Sequence, residues 1–224
     1  MGENQYHKVL SALALGDRRT NSAFRKCNIS FNEGIEIVDK LCSRGMLSLE
    51  KSRQSITSMP KNNDISEKLL FTTPFARFWF AFVSPLFKGI KDGDYKEFWE
   101  NYNNNKAQFS SLVFEQLCHE VIKKSFANEN GIVNIGRYWD DNHSLDIVAV
   151  TKTGKTIIGS CKYTNNKVKK SELTRLKNIA QELGIVVDTY VLFSKKGFSS
   201  ELKSLKGDSL KLFTTRNLNI LLDS

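Results

Sequence analysis

The sequence predicts an α/β fold with a mixed sheet in its second half, preceded by a smaller domain of short helices and a β-hairpin. Three observations carry this prediction. After an amphipathic stretch from Ala107 to Phe126, the apolar period changes from helical to strand-like over residues 132–163. Two of those apolar runs are joined by Thr153-Gly154-Lys155, a tight hairpin turn. A helical pattern and further strand-like runs then alternate to the end, which is an α/β order.

Taken in order, Tyr6 to Leu15 reads as a short amphipathic helix with Val9, Leu10 and Leu13 on one face. Thr20 is expected to cap a second helix that runs to Lys26. Asn28 to Ser30 forms a turn. A third helix follows with Ile35, Val38, Leu41 and Cys42 in register, and Gly45 sits just past its end. Met46 to Glu50 and Lys68 to Thr72 read as paired strands around a polar loop, Lys51 to Ser66. Three short helices and a hairpin are the layout of a winged helix-turn-helix, expected over residues 1–72.

Pro74 to Ile90 repeats aromatic residues at helical spacing, with Pro74 in a first turn and Pro85 at a kink or stop. Tyr95 to Tyr102 is another aromatic helix, closed by an expected turn at Asn103-Asn104-Asn105. Residues 73–106 are therefore expected to be a helical connector, its rings used for packing rather than base stacking. Residues 107–224 form the third expected domain. Its elements are the Ala107–Phe126 helix, strands at Ile132–Tyr138, Leu145–Val150 and Thr156–Tyr163, a helix at Ser171–Leu183, a buried strand at Thr189–Phe193, a short helix near Ser199–Leu205, and a strand at Leu210–Phe213.

Composition narrows the function. No apolar run approaches the ~20 residues that span a bilayer; the longest, Phe75 to Phe87, is interrupted by Arg77, Ser84 and Pro85. The N-terminus lacks the apolar core of a signal peptide. The four cysteines show no CxxC spacing and no zinc-type pairing with the three histidines, so reduced thiols and a cytoplasmic location are expected. The formal charge is +9, and residues 151–224 hold 14 Lys and Arg against 6 Asp and Glu. Such a bias suits a phosphate backbone, and equally a solvated lysine-rich surface.

Glu115, Asp146 and Lys162 stand out as chemistry-bearing residues. Asp146 opens the apolar run Leu145-Asp146-Ile147-Val148-Ala149-Val150, and Lys162 closes Ile157-Ile158-Gly159-Ser160-Cys161-Lys162. Each lies eight residues from Gly154, so a hairpin centred there would set them near one rung. A carboxylate at that position can ligate Mg²⁺, and the metal can activate water and stabilise a phosphoryl transition state. The lysine can stabilise the developing negative charge.

These residues resemble the PD-(D/E)xK phosphodiesterase superfamily, which includes Mrr-like endonucleases and Holliday-junction resolvases. More closely, residues 71–176 resemble a domain of unknown function found at the C-terminus of archaeal and bacterial AAA-type ATPases, where a winged helix also precedes it. The matching residues are Thr73-Pro74-Phe75-Ala76-Arg77-Phe78-Trp79-Phe80, Phe114-Glu115, Ile135-Gly136-Arg137-Tyr138-Trp139, Leu145-Asp146-Ile147-Val148-Ala149 and Gly159-Ser160-Cys161-Lys162-Tyr163. The resemblance implies a restriction-endonuclease-like core in which Asp146, Lys162 and Glu115 are catalytic. It also implies that Asp146, Glu115 and Cys161 supply a Mg²⁺ or Mn²⁺ site, that DNA is the partner, and that a separate AAA-type ATPase is a second partner.

The chain departs from that pattern at Ser160, where an acidic residue is expected, so the metal should bind weakly. Some restriction enzymes of the superfamily recruit a glutamate from the following helix. Glu172 is the nearest candidate, Glu182 is second, and Asn178 occupies the position those enzymes favour. No Walker ATPase module precedes the expected winged helix, so an ATPase would be a separate chain or absent. Thr153-Gly154-Lys155-Thr156 mimics the end of a P-loop, but Ala149 replaces its first glycine and no helix follows.

Lys167, Lys169, Lys170 and Arg175, with Lys177, are expected to line a nucleic-acid rim. Arg18 and Arg19, with Arg25 and Lys26, and Lys51 and Arg53 on the wing, can reach phosphates. Glu33, Glu36 and Asp39 make the third helix a poor groove reader. His119 is expected at the surface rather than as a ligand, and Trp139 and Tyr163 are expected to pack beside the site. The reading is a metal-dependent DNA endonuclease or a derivative with a degenerate site. The alternatives are a non-catalytic DNA-binding protein and an ATPase-partner module.

Overall fold

Apolar side chains at helical spacing close one core, and alternating strands close another. The computed structural model describes residues 3–16, 18–58, 65–127 and 131–222. The chain divides into two compact units, residues 1–51 with 66–110 and residues 52–65 with 111–224.

In the first unit, α1 (Glu3–Ala14), α2 (Thr20–Cys27) and α3 (Phe31–Ser43) are followed by β1 (Leu47–Glu50), which pairs antiparallel with β2 (Lys68–Phe71). Val9, Leu13, Phe24, Ile37, Leu41 and Leu69 fill the core. A capping box opens α3: the Ser30 hydroxyl accepts from the Glu33 N–H at 3.3 Å, and the Glu33 carboxylate accepts from the Ser30 N–H at 3.1 Å. Gly45 ends α3 at φ +69°, as expected of a C′ glycine. Thr20 is not a cap, contrary to expectation. Arg19 holds that position and makes no side-chain capping bond to the helix, and Thr20 is buried with its hydroxyl 3.5 Å from that of Ser66. Burial turns the hydroxyl away from the helix's own N–H groups. Residues 59–64 of the expected 51–66 loop lie outside the described residues.

Pro74 opens α4 (Pro74–Phe78), capped by Thr73; a π turn (Trp79–Val83), a 3-10 turn containing Pro85 and α5 (Phe87–Lys91) follow. Phe82 is fully buried against Phe78, Tyr102 and Phe109, each ring centroid 5.3 Å away. The long helix α6 (Lys96–Ser125) overturns the expected turn at residues 103–105. Asparagine breaks helices when its side chain competes for backbone groups. Here Asn105 donates back to the Asn101 carbonyl at 3.0 Å, one helical turn earlier, and Asn101 donates to the Ala81 carbonyl at 3.0 Å. The side chains are satisfied without breaking the helix.

The second unit is built on a five-stranded mixed sheet in the order β3 (Ile132–Trp139), β4 (Ser144–Thr151), β5 (Thr156–Lys162), β6 (Thr189–Ser194), β7 (Leu210–Thr214). The first three strands are antiparallel neighbours; β5, β6 and β7 run parallel. Two helices, α7 (Lys170–Glu182) and α8 (Ser200–Ser204), form the crossovers that parallel strands require. Alternation sorts β5 between two cores. Ile158 packs with Leu173, Leu176 and Leu202, whereas Ile157 and Cys161 pack with Phe114, Cys118 and Val121 of α6. The sheet is thus covered on both faces, which explains the nearly continuous apolar strands.

Candidate active site

The β4–β5 register fixes the site and corrects the rung expected from Gly154. Val150 lies opposite Thr156 and Ile147 opposite Gly159, so one further step sets Asp146 across from Ser160, two residues short of Lys162. The turn is asymmetric: the Gly154 N–H donates to the Thr151 carbonyl, and the Thr151 N–H to the Lys155 carbonyl, each at 3.0 Å. Its centre falls at Thr153 rather than Gly154. Ser160 and Lys162 share one face of β5 by alternation.

The Asp146 carboxylate is anchored through Oδ2, which accepts from the Cys161 N–H at 2.8 Å and the Ser160 hydroxyl at 3.1 Å. Burial first, and the charge of Glu115 second, push its carboxyl above the ordinary range; the Cys161 N–H, Lys162 and Ser160 oppose this. His119 is buried, contrary to the surface position expected for it. Its Nε2 lies 2.7 Å from the Asp146 carbonyl oxygen. A carbonyl only accepts, so Nε2 carries the proton. A lone histidine on a helix is more often at the surface, and no sequence signal marks the carbonyl that holds this one.

Glu115 projects from α6, where its carboxylate accepts from Arg137 Nε of β3 at 2.5 Å; the side chains are 17% and 6% exposed. Arg137, inside Ile135-Gly136-Arg137-Tyr138-Trp139, is a site residue that sequence reasoning misses. Its sequence signal is a lone cation among the buried residues Gly136, Tyr138 and Trp139.

Lys162 Nζ lies 3.2 Å from Glu172 Oε1 of α7, and the same oxygen accepts from Arg175 at 2.7 and 3.0 Å. Burial works against the charge of Glu172, but the bonds from Arg175 and the charges of Lys162 and Arg175 hold its carboxyl below the usual carboxylate range. The Ser160 hydroxyl thus bonds Asp146, while Lys162, two residues on, pairs with Glu172.

The remaining predicted residues fall elsewhere. The Cys161 thiol packs beside Cys118 in the core, where burial and then Cys118 raise it well above its ordinary value. Its contribution to Asp146 is its backbone N–H. Lys167 and Lys169 are exposed before α7, and Lys170 pairs with Glu201 at 3.1 Å. Arg18 and Arg19 belong to the first unit, where Arg18 pairs with Glu50 at 3.1 Å and Arg19 bridges to Lys68. Glu182 bonds His143 at 2.7 Å. Trp139 is buried, and Tyr163 packs on Phe114 at 5.3 Å. Among the described residues, no three His, Cys, Asp or Glu side chains are arranged as a ready metal-ligand set. The arrangement offers Asp146 anchored by a hydroxyl, Glu172 paired with a lysine, and a third carboxylate, Glu115, whose charge reaches Asp146.

The family DUF234, described as archaea bacterial proteins of unknown function, matches residues 79–175. No curated protein matches the chain. Among solved structures, an ATP-dependent Type ISP restriction-modification enzyme, LlaBIII bound to DNA, is similar at 19% identity with a TM-score of 0.36. The match covers 49% of this chain and 8% of that one. No helix among the described residues is long and apolar enough to cross a membrane.

Proposed function

We propose that residues 107–224 form a restriction-endonuclease-like domain with a metal-assisted phosphodiesterase site acting on nucleic acid, in which Glu172 takes the part of the acid missing at Ser160. The ion pair of Lys162 with Glu172 at 3.2 Å carries this reading. It brings a carboxylate of the following helix to the end of the strand that bears Ser160, whose hydroxyl bonds Asp146.

The donor set suits a hard cation. Mg²⁺ takes oxygen ligands, keeps several waters and needs only one or two carboxylates, which Asp146 with Glu115 or Glu172 can supply. The Cys161 thiol, held protonated in the core, is a poor partner for it. When bound, Mg²⁺ or Mn²⁺ supplies charge neutralisation at the phosphoryl group and lowers the pKa of water. The protein's own residues do the rest. Asp146 is fixed by the Cys161 N–H and His119, Glu172 orients the Lys162 ammonium, and Lys162 offers its donors to phosphoryl oxygen.

Residues 1–72 are proposed as a winged helix-turn-helix in which Arg18 and Arg19 contact phosphates, and 73–106 as a connector, with a separate AAA-type ATPase as a partner in the cytoplasm. The test is incubation with plasmid, single-stranded DNA and RNA in Mg²⁺ or Mn²⁺. Cleavage is expected to fall at least about 100-fold in Asp146→Asn and Lys162→Gln. Cleavage unaffected by either change would refute the assignment.

One observation favours a second reading. Glu115 is already paired with Arg137, and Glu172 with Lys162 and Arg175. A site so neutralised suits a nucleic-acid-binding derivative without catalysis. Binding without cleavage in either metal, weakening steeply with salt, would select it.

A further inference from the structure

The parallel strands of the second unit end together. Lys162 of β5 lies opposite Ser194 of β6, and Ser194 lies opposite Thr214 of β7, so the three strand ends form one row. At a strand spacing of roughly 4.8 Å, that row is about 10 Å wide. The segments that leave it are residues 163–169, 195–199 and 215–221. Every charged residue in them is basic: Lys167, Lys169, Lys195, Lys196 and Arg216. The opposite end of the sheet is mixed, with Lys152, Lys155 and Lys206 beside Asp188 and Asp208. Ligands of sheets with parallel strands bind outside their carboxyl ends, which is where the single-sign charge collects.

The rim is pre-organised. The first two segments are laced by backbone hydrogen bonds, Val168 N–H to the Gly197 carbonyl and Ser199 N–H to the Val168 carbonyl, each at 2.9 Å. The Lys195 N–H donates to the Lys162 carbonyl at 3.0 Å, which ties the rim to the end of the site strand. The Lys195 ammonium stands 4.3 Å over the Tyr163 ring and 3.3 Å from Asn165 Oδ1. Lys167, Lys169, Lys196 and Arg216 are exposed and make no ion pair among the described residues.

We infer that this three-segment rim is a docking track for the phosphodiester backbone of a nucleic acid, with Lys195, Lys196 and Arg216 as phosphate contacts. The inference deepens the proposed function and rests on it for the choice of partner. Loops bearing Asn165, Asn166 and Asn217 beside a half-buried tyrosine offer hydrogen bonds and a stacking edge as well as charge. No large apolar side chain is exposed in residues 163–169 or 195–199, as a membrane-inserting surface would need.

The test compares Lys195→Gln/Lys196→Gln/Arg216→Gln with a control of equal charge change, Lys152→Gln/Lys155→Gln/Lys206→Gln, in the full chain. Binding of labelled duplex and single-stranded DNA is measured in EDTA over a salt series, beside vesicles rich in phosphatidylglycerol and a polyglutamate probe. Each phosphate contact contributes about 0.9 to the salt slope on duplex and about 0.7 on single strands. The rim variant should therefore lose about 2 to 3 from the slope and bind at least about tenfold more weakly, while the control keeps the wild-type slope. Equal losses in both variants, no loss in either, no binding of DNA by the wild type, or a rim-dependent loss seen only with vesicles or polyglutamate would overturn the inference. Cleavage is read separately with Asp146→Asn. A rim-dependent slope without any metal-dependent cleavage leaves the track standing and removes the catalytic reading.

Discussion

Gly159 lies one residue before Ser160 and opposite Val191 in the parallel pair of β5 and β6. A Cβ added there overlaps the Val191 side chain and carbonyl oxygen and stands 3.2 Å from its carbonyl carbon. Val191 is fully buried, so neither partner can swing into solvent. Overpacking of this kind costs about 1–3 kcal/mol. Prying the strands apart also weakens neighbouring backbone hydrogen bonds, each worth about 1 kcal/mol. Gly159→Ala should thus lose about 2–4 kcal/mol, which for a chain of this length lowers Tm by roughly 5–15 °C. Thermal unfolding followed by circular dichroism reads it. Two controls calibrate the result. At Gly207 an added methyl meets nothing within 4 Å, so Gly207→Ala should stay within about 0.5 kcal/mol. At Gly136 the methyl meets the Arg53 side chain, which can move away at the cost of its 3.1 Å bond to the Ile135 carbonyl, or about 1 kcal/mol. If Gly159→Ala melted within about 2 °C of wild type, the close packing inferred between β5 and β6, and with it the fixed position of Ser160 and Lys162, would be wrong.

Further outcomes follow from the same contacts. Glu115→Ala removes the carboxylate from the buried Arg137 guanidinium and should cost about 3 kcal/mol, whereas Glu115→Ala/Arg137→Met should recover much of that loss in a double-mutant cycle by urea unfolding. Asp146→Asn keeps an acceptor for Ser160 and Cys161 but removes a charge that burial and Glu115 disfavour, so it should raise Tm at neutral pH even as it removes any cleavage. His143 is the pH-sensitive group. Burial lowers its pKa, but its bonds to Glu182 and Asp140 outweigh burial and raise it above 6.5. Its stabilisation is fully present below pH 6.5 and is lost as pH rises through the higher folded value. The urea midpoint should fall between pH 6 and pH 8 in the wild type and change less in His143→Gln; equal pH dependence in both proteins would exclude this pair of contacts.

Much of the fold was legible in the sequence because short-range chemistry decided it. Short, nearly continuous apolar runs marked β3 to β7, Gly45 marked the end of α3, and Pro74 marked the start of α4. The prominence of Glu115, Asp146 and Lys162 was also legible, since charged residues beside apolar runs stand out before any contact is known. Tertiary structure decided who touches whom. A one-residue change in the centre of the 151–155 turn moved the partner of Asp146 from Lys162 to Ser160, because cross-strand pairing depends on loop geometry that composition does not encode. Asn101 and Asn105 extend α6 because Ala81, twenty residues away from Asn101, accepts one of their donors. Arg137 finds Glu115, and Glu172 finds Lys162, only after the helices pack on the sheet. Periodicity specifies which face of an element is buried; the polar partner of a buried charge is set by whichever distant side chain packing brings within reach.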